Sequence, residues 1–83
     1  MMRCKMVIGE VAESMGSKPD ADGKWITCKF KTVKMLAVSG GSDENKRFWS
    51  ATPSGKLDLT CVHPDAIEGM EVGKEFYVDI SPA

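Results

Sequence analysis

The chain is poor in the groups that do chemistry. It has a single histidine, His63, and no nucleophile stands beside it in the sequence. A lone imidazole of this kind caps a short helix or sits in solvent more readily than it acts as a base. The cysteines are three, Cys4, Cys28 and Cys61, with no C-x-x-C pair. An odd, widely spaced set makes no disulfide framework. Cys4, Cys28, Cys61 and His63 form the one conceivable metal set, but their spacing matches no finger or ribbon. Each cysteine falls in the inward row of an apolar strand pattern, where Cys serves as a small hydrophobe. Neither a metal nor any other cofactor is expected. The carboxylate pairs Asp20/Asp22 and Glu68/Glu71 lie in polar stretches and read as solubility. Taken together these absences argue against an enzyme.

Long apolar runs are also missing. No stretch approaches the ~20 residues of a membrane span. The opening "MMRCKMVIGEV" lacks the apolar core and small-residue cleavage site of a signal peptide. Free thiols and no export signal point to synthesis in a reducing cytosol. Net charge is only −1, so the whole-molecule field attracts neither nucleic acid nor membrane. The balance hides an asymmetry: residues 1–42 carry seven basic and four acidic side chains, and residues 43–83 carry four and eight.

What is present is strand alternation in a chain of 83 residues, enough for one domain spanning residues 1–83 with a small core. In Arg3–Val11, Cys4, Met6 and Ile8 share a face, and Gly9 marks a bulge or a close approach. Glu13–Lys24, "ESMGSKPDADGK", has no apolar period and reads as an exposed loop ending in the tight-turn pair Asp22-Gly23. In Trp25–Val38, Ile26, Cys28 and Phe30 alternate with Lys29 and Lys31. The phase then inverts to Val33, Met35 and Ala37, which predicts a bulge near Lys31–Thr32. Ser39–Lys46 reads as a glycine-bearing loop. Such a loop cradles phosphate only ahead of a helix, and Arg47–Ala51 reads as strand. Thr52-Pro53-Ser54-Gly55 fits a type I turn with a G1 bulge, closing a hairpin onto Leu57, Leu59 and Cys61. Pro64 to Gly69 predicts one or two helical turns, with Ile67 and Met70 packed over the barrel end. In Lys74–Ile80, Phe76, Val78 and Ile80 point inward and Tyr77 outward. The sum is an all-β fold: about five strands and one short helical insert in a small antiparallel barrel of OB or SH3-like type.

Function is then left to the outer surface. Lys29 and Lys31 share an outward face, and Trp25, Trp49, Tyr77 and Arg47 are the outward aromatic and basic candidates. Aromatics among cations hold single-stranded nucleic acid, and the same residues make protein hot spots. The balanced charge favours a protein partner, another subunit or a second copy.

The segment "SGGSDENKRFWSATPSGKLDLT" followed by "GKEFYVDISPA" resembles small proteins encoded in tailed-bacteriophage genomes and prophages. The resemblance implies a phage origin, with synthesis in the host cytoplasm, and transfers no catalytic residue. Within it, the leading expectation is a virion component, a capsid decoration or cement protein that staples neighbouring capsid subunits. The alternative is a single-strand-binding accessory protein of phage replication. An inhibitor of a host defence enzyme is a third possibility.

Overall fold

The computed structural model describes residues 1–61 and 68–83. They build four antiparallel strands and one helix: β1 (Met2–Pro19), β2 (Trp25–Ala37), α1 (Asp43–Ala51), β3 (Lys56–Cys61) and β4 (Glu75–Ile80). The spatial order is β3-β2-β1-β4. The two outer strands do not meet, so this is an open sheet and not the closed barrel expected. A fifth strand is not found among the described residues. No helix there is long and apolar enough to cross a membrane.

One face of the sheet carries the core. Cys4, Met6, Ile8, Val33 and Met35 are buried, with Val11, Leu57, Cys61, Met70, Phe76 and Val78 packed against them. The inward rows read from β1, β3 and β4 therefore hold, although Leu59, midway along β3 at the sheet edge, and Ile80, at the end of β4, stay largely exposed. Met70 packs against this core, without the barrel end it was expected to cover. The bulge lies in β1, where the pairing with β2 shifts between Ile8 and Glu10. One extra residue resets the pleat, so Ile8 and Val11 can both face the core with Gly9 between them.

β2 runs unbroken past Lys31 and Thr32, so the bulge expected there is absent. Its phase inversion has another cause. Side chains alternate strictly along an unbulged strand. With Val33 and Met35 in the core, Ile26, Cys28 and Phe30 must lie on the opposite face, and Lys29 and Lys31 on the core-side face. The expected inward and outward rows of this half-strand are exchanged. Phe30 finds its cover there: a Cβ on Gly16 would stand 1.8 Å from the Phe30 ring. The ring thus lies over a backbone that only glycine leaves bare.

The segment expected as a loop, Glu13–Lys24, is strand as far as Pro19. Only Asp20–Lys24 turns. Asp20 N–H donates to Lys24 O at 2.7 Å, Gly23 N–H donates to Asp20 O at 3.0 Å, and Gly23 has φ +80°. The Asp20 carboxylate also accepts from the Asp22 and Lys24 amides, both at 2.9 Å. The three-residue G1 turn expected at Thr52–Gly55 is found here instead.

Arg47–Ala51 is helix, not strand. Ser42 is its cap and accepts the Asn45 N–H at 3.1 Å. Asp43 and Glu44 lie in the first turn, where the helix dipole favours negative charge. The hairpin across Thr52–Gly55 does not form: β3 pairs with β2, Leu57 opposite Met35. The helix expected over residues 64–69 lies mostly outside the described residues, as does His63.

Candidate functional site

The molecule measures 50 × 29 × 18 Å, and its length comes from the β1–β2 hairpin. β4 pairs with β1 only over Met2–Val7, and β3 pairs with β2 only over Lys31–Leu36. Beyond these spans, Ser14–Pro19 and Trp25–Phe30 pair with each other alone among the described residues. The result is a projecting two-stranded arm. A two-stranded hairpin is marginal in water, and this one carries large apolar side chains in solvent. Trp25 is 73% exposed, Met15 63% and Ile26 42%.

The residues singled out from sequence divide between two ends of the molecule. Trp25 and Lys29 lie on the arm, and Lys31 lies at its root, opposite Cys61 of β3. Pro19 pairs with Trp25 at the tip and Lys5 pairs with Tyr77 at the base. Fourteen residues of extended chain separate Lys5 from Pro19, about 45 Å. Lys31 forms an ion pair with Glu13 at 3.5 Å. Arg47 and Trp49 are exposed on α1, and Tyr77 sits under that helix. No single platform unites the six. Across the arm and its root, Lys18, Lys24, Lys29, Lys31 and Lys34 are nearly balanced by Glu10, Glu13, Asp20 and Asp22.

The base holds a polar clasp that sequence reasoning does not find. α1 docks on the sheet face opposite the core. Tyr77 Oη donates to Glu44 Oε1 at 2.5 Å, and Lys5 Nζ donates to Glu44 Oε2 at 3.1 Å. Lys5 also lies 3.6 Å from Glu75. Asn45, buried to 2% exposure, donates through Nδ2 to Gly40 O at 2.9 Å and to Glu75 Oε2 at 2.7 Å. Phe48 packs against Tyr77 with ring centroids 6.0 Å apart. The legible signal is Ser42-Asp43-Glu44, a cap followed by two acids.

The hydrogen bond from Tyr77, then that from Lys5, holds the Glu44 carboxyl below the usual carboxylate range. The same bond raises the Tyr77 hydroxyl. Burial works against the charge of Lys5, but hydrogen bonding to Glu44 and the charges of Glu44 and Glu75 outweigh it and raise the ammonium. Outside the clasp, Arg3 pairs with Asp79 through two bonds of 2.6 and 2.9 Å. The guanidinium lowers that carboxyl, and the carboxylate raises Arg3. These are structural contacts at an exposed surface.

The Gly-rich loop does precede a helix, contrary to the sequence expectation. It is still a poor phosphate cradle. Ser42 occupies the Asn45 amide, and Asp43 and Glu44 place like charge where the anion would sit. The cysteines are not gathered. Cys4 and Cys61 belong to the core face and Cys28 to the other, so the inward placement expected of Cys28 is overturned. No group of three potential metal ligands occurs among the described residues. An open cleft of about 280 Å³ is lined by Gly9, Glu10, Lys34, Met35, Leu36, Lys56 and Asp58. That is smaller than pockets that enclose drug-sized ligands.

No protein-family model, curated protein or solved structure matches the chain.

Proposed function

We propose that the protein is a non-enzymatic interaction module that grips a larger protein through its projecting arm. The observation that carries this is the pairing of an unsupported ribbon with exposed Trp25, Met15 and Ile26. Trp side chains are enriched in protein hot spots, and seating Trp25 and Met15, which share one face of the ribbon, in a partner's groove removes them from water, with Ile26 gripped from the other face. Docking also lends the arm the support its own sheet withholds.

The resemblance to tailed-phage proteins supports a partner among virion subunits, with this chain as a decoration or cement component made in the host cytoplasm. The nucleic-acid alternative draws less support. Lys31 is neutralised by Glu13, the arm is close to charge balance, and Trp25 stands at the far end of the molecule from Trp49 and Tyr77.

Mass spectrometry of purified particles tests the proposal. The chain is expected at a copy number matching capsid subunits, and Trp25→Ala is expected to abolish its incorporation while leaving its fold intact. Absence from particles, combined with salt-dependent quenching of Trp emission by an oligonucleotide, would reverse the assignment in favour of the replication role.

A further inference from the structure

The outer edge of the arm is a second surface, distinct from its exposed tip and faces. Ile8 donates to Lys74 O at 2.9 Å and accepts from Gly73 N–H at 2.8 Å, so Ile8 directs its peptide groups toward the β4 side. The bulge at Gly9 changes the parity. At the far end Asp20 bonds across to Lys24, so even-numbered residues of the arm face β2. Val11, Glu13, Met15 and Ser17 therefore aim N–H and C=O groups away from β2, and among the described residues no strand pairs with them. Pro19, which has no N–H, closes the row. An unpaired row of this kind is a template for another strand.

The charges choose the strand. Asp58, Lys34 and Glu10 are register neighbours on β3, β2 and β1, and Lys34 lies 3.2 Å from Glu10. Their signs alternate across the sheet, so the next strand out should present a cation there. Lys18 is a cation of the same strand, on the same face as Glu10, with no ion pair among the described residues. Glu10 and Lys18 are equidistant from Ser14. A two-fold axis at Ser14 sets Lys18 of each copy opposite Glu10 of the other.

We propose that two copies of this chain pair edge to edge, β1 against β1 in antiparallel register, with Ser14 on the axis and Glu10–Lys18 contacts at both ends. In this register Val11 exchanges hydrogen bonds with Ser17, and Glu13 with Met15. Glu10–Lys18 and Ser14–Ser14 are then the closer, non-hydrogen-bonded pairs. The notch beside the arm runs from Ile8, where the contacts with β4 end, to Pro19, so the arm of a second copy matches it in length. Each marginal two-stranded ribbon becomes half of a four-stranded sheet. The contact is isologous, so it closes at two copies. It uses the edge of the arm and does not depend on the docking role of its tip.

Sedimentation velocity over a wide concentration series tests this. A dimer is expected. Lys18→Glu should weaken it about tenfold or more by opposing like charges at two sites, and Glu10→Lys should do the same. Mixing the two variants should restore a heterodimer, because both contacts are then of opposite sign. Ser14→Cys in a Cys28→Ser background should cross-link across the axis on oxidation. The Cα separation of such a non-hydrogen-bonded pair, about 4.5 Å, lies within the range of a disulfide. A protein that stays monomeric throughout overturns the proposal. So does a dimer indifferent to these charges that fails to cross-link.

Discussion

The base and the arm of this molecule are cut from the same two strands and live under different rules. At the base, four strands press one face onto a buried core in which Ile8 and Val33 are essentially inaccessible. In the arm the same strands continue without flanking strands among the described residues, and their apolar side chains are half-covered or bare. The pleat is common to both regions. What differs is what lies across from each face. A strand's pattern therefore says which residues share a side, and its surroundings say which side is the inside.

Substitutions should separate the two regions. Ile8→Ala is expected to be the most damaging, at about 3 kcal/mol, because it opens a cavity in a site with no room to collapse; chemical denaturation would measure it, and a loss below about 1 kcal/mol would mean the base is not the stable core. Gly16→Ala should cost about 1–2 kcal/mol, since its methyl displaces the Phe30 ring in the manner of an overpacked site. Its signature should be local: amide exchange accelerates in Ser14–Phe30 while protection of Val33 and Met35 is unchanged. Loosening of the whole sheet together would mean that base and arm open as one unit.

Ser42→Ala should cost about 1 kcal/mol by removing the cap of α1, read as a lowered Tm with the arm unaffected. The smallest effect should be the pH response of the clasp. Glu44 is held below its ordinary value, so its contribution is complete above the unfolded carboxylate range, near pH ~4.3, and is lost as pH falls through the lowered value. Tyr77 is raised, so its contribution is complete below about pH 10 and is lost as pH rises through the raised value. Tyr77→Phe should remove the tyrosine part of the alkaline limb, leave the part that comes from the raised Lys5 ammonium, and weaken the acid limb, as followed by the NMR shifts of α1.

Much of the base is legible in the chain's residue pattern. Cys4, Met6 and Ile8, then Leu57, Leu59 and Cys61, then Phe76 and Val78, each obey a two-residue period, and Gly9 and Asp22-Gly23 mark real breaks. The arm is illegible for a physical reason. Glu13–Pro19 lacks apolar alternation because, among the described residues, neither of its faces meets the core, and a ribbon without a core looks like a loop in sequence. The candidate site suffers the same way. Trp25 belongs in solvent on either reading, but the pattern gives Lys29 and Lys31 a face through the apolar residues beside them, which here point away from the core. Helix α1 is hidden by the adjacent Phe48 and Trp49, whose bulk suggests a strand more strongly than Ser42-Asp43-Glu44 suggests a cap.

By itself the sequence determined that this is a strand-built chain of near-neutral charge, with alternating rows on β1, β3 and β4 and a tight turn at Gly23. Those features rest on backbone geometry, which acts between neighbours along the chain. The tertiary structure alone decided that the sheet stays open, that the bulge falls in β1 and not β2, and that half of a hairpin projects beyond its neighbours. Those outcomes depend on which strands lie alongside and where their pairing stops, and that is settled by contacts between residues far apart in the chain.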